Sequence, residues 1–171
     1  MDLCTSAVLY RCVYGSVLFR ILARFSAVRS SCHDGRVDNL SPEERSRQMR
    51  LIRSRDTKPE LFIRRLVHGL GYRYRLHRRD LPGTPDLVFP SKRKVIFVHG
   101  CFWHGHSCRL GARVPKSRQD YWTNKIFHNV ERDRTAVERL QLMGWGPLVI
   151  WECQRQNKDE LTAILIQFLE K

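Results

Sequence analysis

Apolar positions along this chain recur first at helical spacing, then in alternation, then at helical spacing again, and each change of rhythm marks an element. Ser41-Pro42-Glu43-Glu44 offers a capping hydroxyl, a proline at the first helical position and acids in the first turn, which predicts a short Arg-rich helix over residues 42–53. Thr57-Lys58-Pro59-Glu60 repeats that signature. Phe62, Ile63, Leu66, Val67 and Leu70 then form a stripe closed by Gly69 and Gly71, so a second helix is expected to pack on the core. Tyr72 to Leu76 alternates with period two and predicts a strand with one basic face. After the turn-rich Leu81-Pro82-Gly83-Thr84-Pro85, Asp86–Phe89 and Val95–Val98 read as a hairpin turned at Pro90–Lys94. From Ser117, with Asp120 three positions on, one or two helices carry Tyr121, Trp122, Ile126, Val130, Val137, Leu140 and Met143 as far as Gly144. Leu148–Trp151 is a buried strand that ends at Glu152-Cys153, and Leu161, Ile164, Leu165, Phe168 and Leu169 mark a closing amphipathic helix.

Two helices, two or three strands, a helix, a strand and a helix, with no internal repeat, predict an α/β fold: a mixed sheet flanked by helices. Ligands in such folds gather at strand ends. Asp86 opens one strand, His99 to Cys108 follow a second and Cys153 follows a third.

Composition changes the picture through charge. With 171 residues and 42% hydrophobic content, one domain with a real core is expected, but a formal charge of +14 is far from ordinary. Arg45, Arg47, Arg50, Arg53, Arg55, Arg64, Arg65, Arg73, Arg75, Arg78 and Arg79 crowd about one fifth of the chain. Such a field favours a polyanion, most simply nucleic acid, with solubility plus an acidic partner as the plainer alternative. Six unevenly spaced cysteines do not resemble a disulfide framework. Three of them fall in the first 32 residues, where the apolar run from Cys12 to Val28 is broken by Arg20 and Arg24 and is too short and too charged to span a bilayer. That run also lacks a small-residue cleavage site, and its weak amphipathic pattern would suit a targeting or surface helix. Residues 1–36 are read as an N-terminal extension, without stable structure or arising from an upstream start, and residues 37–171 as the domain proper.

His99-Gly100-Cys101-Phe102-Trp103-His104-Gly105-His106-Ser107-Cys108 places three histidines, two cysteines and two large aromatics in ten residues. Cys101, His106 and Cys108 form a C-x4-H-x-C cluster, and Cys153 follows a strand expected beside Val95–Val98. Together they would make a closed Cys₃His tetrahedron of the structural zinc type, unless they are reduced core cysteines and solvated histidines. Asp86 stands where hairpin nucleases place the first carboxylate for Mg²⁺. Those nucleases add a second carboxylate and a lysine on the neighbouring strand, but this chain reads Phe97-Val98-His99 there. If it cuts phosphodiesters, His99 and His104 are the candidates to activate water, because imidazole titrates near neutrality. Either histidine has a structural alternative as a loop hydrogen-bonder or spare zinc ligand.

Arg47-x-Met49-x-x-Ile52, Asp56-Thr57-x-Pro59-Glu60, Leu81-Pro82-Gly83-x-Pro85-Asp86, the His99–Cys108 block, Asn129-Val130-Glu131-Arg132-Asp133 and Trp151-Glu152-Cys153 resemble the very short patch repair (Vsr) DNA mismatch endonucleases, from about Asp38 to the C-terminus. The resemblance implies a restriction-endonuclease-like fold with a structural zinc. It implies a Mg²⁺-dependent enzyme that nicks double-stranded DNA 5′ of the thymine in a T·G mismatch left by deamination of 5-methylcytosine. It also implies monomeric action in the bacterial cytoplasm, at the nucleoid, with repair-pathway proteins as further partners.

Carried over by position, Asp86 resembles the metal-binding carboxylate and the main-chain carbonyl of Val98 the second protein ligand. His104 resembles the general acid/base, His99 a phosphate contact and Glu60 an acid touching the metal's water shell. The zinc set is Cys101, His106, Cys108 and Cys153, and Phe102, Trp103 and Trp122 resemble aromatics inserted beside the mismatch. Val98 stands where the family often has Thr, a change that spares a backbone ligand but not a hydroxyl contact, and Gly105 loosens the loop. Glu60 has a second explanation as the acid of a capping box, and the three aromatics have one as core residues. Two rival readings remain: a zinc-stabilised DNA-binding module that no longer cuts, and a zinc hydrolase with His104 or His106 on an open catalytic metal.

Overall fold

A four-stranded mixed sheet frames the site in the computed structural model, which describes residues 41–51, 55–113, 115 and 118–171. The extension expected over residues 1–36 and the helix cap expected at Ser117 lie outside the described residues. In chain order the elements are α1 (Pro42–Arg50), α2 (Lys58–Gly69), β1 (Arg75–Leu76), β2 (Leu87–Phe89), β3 (Lys94–His99), α3 (Gln119–Leu142), β4 (Gly146–Trp151) and α4 (Lys158–Glu170). Short 3₁₀ turns follow β2 and β4. The strands lie in the order β1-β2-β3-β4; β2 runs antiparallel to both β1 and β3, and β4 runs parallel to β3.

Period-two alternation distributes the apolar side chains to both faces. Leu87 and Phe89 of β2, Ile96 of β3 and Ile150 of β4 pack with Ile63 and Val67 of α2 and Leu161, Leu165 and Leu169 of α4. Val88, Val95 and Phe97 point the other way, onto Val137 and Leu140 of α3 and onto Leu81. A sheet covered on both faces explains why its central strands read as continuous apolar runs. Each fully buried aliphatic side chain contributes about 1.5–3 kcal/mol, so these two clusters hold the strand ends in place.

Two elements differ from expectation, and a third is narrowed. α1 begins on a reciprocal box in which the Ser41 N–H donates to Glu44 at 2.8 Å and the Glu44 N–H donates to the Ser41 hydroxyl at 3.2 Å. It ends at Arg50 rather than at residue 53, because its sequence carries no apolar stripe to bury and Leu51 beyond it is 75% exposed. The strand expected from Tyr72 shrinks to Arg75–Leu76, opposite Val88 and Leu87. Tyr74 leaves the strand to pack edge-on against Phe89, and its hydroxyl donates to the Arg64 carbonyl at 3.1 Å. The segment allowed one or two helices is a single 24-residue helix, α3.

The parallel register matters most for function. Val98 lies opposite Ile150 and His99 opposite Trp151, so the two chains leave the sheet side by side. Two residues beyond that last pair stand Cys101 on one chain and Cys153 on the other.

Candidate active site and metal centre

After β3 the chain folds back on itself. The His106 N–H donates to the Cys101 carbonyl at 2.9 Å and the Ala112 N–H to the Cys108 carbonyl at 2.8 Å. Gly111 is pressed into this turn: a Cβ there would lie 2.0 Å from the His106 carbonyl oxygen and 2.7 Å from that of Cys101, so only glycine fits. The result gathers Cys101, His106, Cys108 and Cys153, whose ligand atoms all lie within 4.8 Å of one another. A zinc tetrahedron with Zn–S near 2.3 Å has edges of about 3.8 Å, so a modest contraction would close this set on an ion. The Cys153 sulfur is already 3.5 Å from His106 Nδ1, and the His106 ring stacks on Trp151 at 4.3 Å. Burial raises the Cys101 and Cys153 thiols and lowers His106. Burial also works upward on Cys108, but the N–H groups of Gly111 and Leu110 and the thiols of Cys101 and Cys153 leave it lowered. Three crowded thiols and one neutral imidazole suit a soft or borderline dication, and all four donors come from the protein.

On the other side of His99 an open cleft of about 1010 Å³ is lined by Glu60, His77, Asp86, Val98, His99, Trp103, His104, Trp122 and Asp133, among others. Asp86 sits one residue before β2; its N–H donates to the Ile96 carbonyl at 3.1 Å, and its carboxylate accepts the Val98 N–H at 2.7 Å. The N–H and C=O of one strand residue point the same way, so the Val98 carbonyl also faces the side on which β2 has already ended. Burial pushes the Asp86 carboxyl up to about 6, with Glu60 adding to the rise and the Val98 N–H, Arg64 and His104 opposing it. Asp86 is therefore neither lost in the apolar interior nor remote from the loop imidazoles.

The raised acid has a testable cost. An unfolded aspartate titrates near 3.9, so the protonated form favours the cation-free fold at low pH and that stabilisation fades as the pH climbs through about 6. Asp86→Asn keeps an acceptor for Val98 without the charge. At pH 7.5, with zinc retained and no other divalent cation, it is expected to be more stable than the native protein by on the order of 1–2 kcal/mol, the gap narrowing as the pH falls below about 6 and closing near pH 4. Equal thermal melts at pH 7.5 would refute this.

Glu60 is tied to the start of α2 as a capping acid would be, but it accepts the Asp56 N–H rather than that of the N-cap Thr57, so the expected box is not closed in its reciprocal form. The Thr57 hydroxyl donates to it at 2.8 Å and the Asp56 N–H at 3.0 Å, and Arg64 adds a third donor at 3.0 Å. The same carboxylate lines the cleft and raises Asp86, so its structural and functional readings coexist.

His99 and His104 stack at 3.9 Å with their planes 10° apart. His99 is buried, its Nδ1 has no partner within the protein, and burial followed by the charges of His104 and Arg132 lowers its pKa well below the ordinary range. His104 Nδ1 pairs with the Asp133 carboxylate from α3, which leaves Nε2 as the basic nitrogen when Nδ1 carries the proton. Asp133 is absent from the site set read from the sequence. It stands 29 residues beyond its histidine, in a helix rich in acids, and its only signal was membership of the Asn129–Asp133 block.

Phe102, Trp103 and Trp122 meet at centroid distances of 5.1, 5.6 and 5.8 Å. All three are half-buried and belong to neither core cluster, which removes the core alternative; Trp103 and Trp122 line the cleft, and Phe102 packs edge-on against both. Asn129 fixes them by donating to the Trp103 carbonyl at 3.0 Å. Gly105 takes φ +66°, a left-handed turn in which a side chain would be strained, so its place is conformational rather than a mere loosening of the loop.

A carboxylate at a hairpin end, facing an imidazole that a second carboxylate orients, suits metal-assisted hydrolysis of phosphodiesters. Comparison with known proteins agrees. The sequence model described as DNA mismatch endonuclease Vsr matches residues 37–110. The chain is 53% identical over 133 residues to the type II nicking enzyme V.XorIIP of Xanthomonas oryzae pv. oryzae, covering 78% of this chain and 97% of that protein. It is 47% identical over 118 residues to the DNA mismatch endonuclease Vsr of Escherichia coli (69% and 75% covered) and 41% over 121 residues to the type II nicking enzyme V.NmeAIP of Neisseria meningitidis (71% and 86%). The chain belongs to the Vsr family of DNA mismatch endonucleases. It is accordingly a DNA-cleaving hydrolase. No described helix is long and apolar enough to cross a membrane.

Proposed function

We propose that this enzyme nicks double-stranded DNA on the 5′ side of the thymine in a T·G mismatch, acting as a monomer in the bacterial cytoplasm, with Mg²⁺ in the cleft and Zn²⁺ in the Cys₃His centre. The observation that carries the reading is the His104–Asp133 pair, which shares one cleft with Asp86. Asp86 and the Val98 carbonyl are hard oxygen donors and would hold Mg²⁺; Cys101, His106, Cys108 and Cys153 would hold Zn²⁺ with no position left for substrate. Bound beside Asp86, Mg²⁺ would offset charge on the scissile phosphate.

The protein's own groups do the rest. His104 Nε2 takes the proton of the attacking water, and Asp133 steadies the imidazolium that results. His99, neutral at physiological pH, contacts a phosphate oxygen without adding charge. Glu60, held by three protein donors, meets the ordered waters around the metal. Phe102, Trp103 and Trp122 enter between base steps, a move that costs less unstacking energy at a mismatch than at a paired step.

The experiment is nicking of an end-labelled duplex containing T·G or T·A, with and without Mg²⁺. Cleavage confined to the thymine strand of the T·G duplex in Mg²⁺ is expected. Tight mismatch binding without cleavage would return the protein to the DNA-binding-module reading. Trp103→Ala is expected to weaken T·G binding by roughly 10–30-fold, the value of one lost stacking platform, while melting within a few degrees of native. Equal affinity of the native protein for T·G and T·A duplexes would refute the wedge.

A further inference from the structure

Glu60 and His77 of the cleft wall belong, with Asp56, to a further cluster of possible metal ligands. Donor atoms of Asp56, Glu60 and His77 lie within 4.8 Å of one another, close enough to share one hard cation. Asp56 is 59% exposed at its side chain, so the cluster opens to solvent. A side chain of this chain already stands among the three. Arg64, on α2 and only 9% exposed, forks between them: Nη1 meets Asp56, and Nη2 lies 3.0 Å from Glu60 and 2.9 Å from His77 Nε2. A guanidinium has donors only, so in this contact His77 Nε2 is the acceptor. The Arg64 Nε is buried and has no acceptor within the protein, so the fork contacts, not a saturated set of hydrogen bonds, fix this side chain. Two of its partners are held in left-handed backbone, Asp56 at φ 53° and His77 at φ 46°, conformations that persist only where surrounding contacts impose them.

We propose that Arg64 is a positioning residue whose guanidinium fills, as a built-in cation, the space among Asp56, Glu60 and His77, and so fixes the Glu60 carboxylate in the cleft wall. Many phosphodiesterases place a second divalent ion next to the first. Here the corresponding charge on this wall is covalently part of the protein, and it neither dissociates nor depends on the metal supply. The proposal rests on reading the cleft as a metal-dependent active site, but its test counts ions at a different cluster from Asp86.

Zinc-loaded full-length protein is titrated with Mn²⁺, and bound ions are counted from the free Mn²⁺ signal in electron paramagnetic resonance. Asp56→Asn is expected to bind as many ions as the native protein. Arg64→Met is expected to bind one more, which the Asp56→Asn/Arg64→Met double variant loses again, and Arg64→Lys, which keeps the charge, is expected to keep the native count. Single-turnover nicking by Arg64→Met should fall about tenfold at saturating DNA with the KM for DNA within about twofold, the split expected when a group is misplaced rather than binding lost. A native protein that loses an ion on Asp56→Asn overturns the proposal, as does a folded Arg64→Met with the native ion count or the native rate. Should Arg64→Met fail to fold, the comparison of native protein with Asp56→Asn decides alone. Loss of nicking in Asp86→Ala bears on the active-site reading and not on this count.

Discussion

Replacing Asp86 with alanine is expected to lower the nicking rate by roughly 10⁴-fold, about 5 kcal/mol of transition-state stabilisation, without unfolding the protein. The size follows from how few oxygen donors are left free beside Asp86, since Glu60 is held by three protein donors and Asp133 by His104. The neighbouring strand supplies Phe97, Val98 and His99 where hairpin nucleases place a carboxylate and a lysine, so on the proposed reading one carboxylate and one backbone oxygen would bear the whole task. Survival of the fold follows from local geometry. The carboxylate makes a single hydrogen bond to the Val98 N–H at the edge of an open cleft, and its removal also relieves the desolvation that raises its pKa. Single-turnover cleavage of a labelled T·G duplex, with a thermal melt of the same sample, measures both effects. A rate within about tenfold of native would remove Asp86 from the mechanism.

Loss of the Cys₃His ion is expected to be the largest effect on stability. Stripping it by chelation, or substituting Cys153→Ser, should cost several kcal/mol and lower the melting temperature by roughly 10–20 °C. The turn after β3 returns on itself through few backbone hydrogen bonds, and Cys153 is its tie to the chain that follows β4. Removing the ion leaves three crowded thiols tied only by weak sulfur contacts, to His106 Nδ1 and to the N–H groups of Leu110 and Gly111. Nicking should fail along with the melt, because His104 and Trp103 are carried on the same turn. Metal analysis paired with calorimetry tests this; a sample shown to have lost its ion but melting as before would contradict it.

Much of this was legible in the sequence because it was local or periodic. The apolar runs Leu87–Phe89 and Val95–Val98 on either side of a polar turn marked the hairpin, the stripe from Phe62 to Leu70 marked α2, and the C-x4-H-x-C spacing marked three of the four candidate metal donors. Cys153 followed from placing its strand beside β3, a placement the register of His99 with Trp151 bears out. What escaped depends on packing between distant segments. Asp133 meets His104 because one long helix crosses the sheet face, and no local pattern distinguishes it from its acidic neighbours on α3. Arg64 read as one more basic residue in a basic region, although it is buried against partners 8 and 13 positions away. The shortness of β1 was hidden as well, since alternation in Tyr72–Leu76 says nothing of how few residues β2 has to offer.

The turn after β3 sets Phe102 and Trp103 directly before His104, with Cys101 and His106 pinned on either side. On the proposed reading, the probe for a distorted base pair and the group that launches the nucleophile are adjacent links of one short, anchored hoop. No hinge lies between inspection and incision. A duplex that refuses the probe also leaves the proton acceptor out of line, so fidelity needs no separate checkpoint.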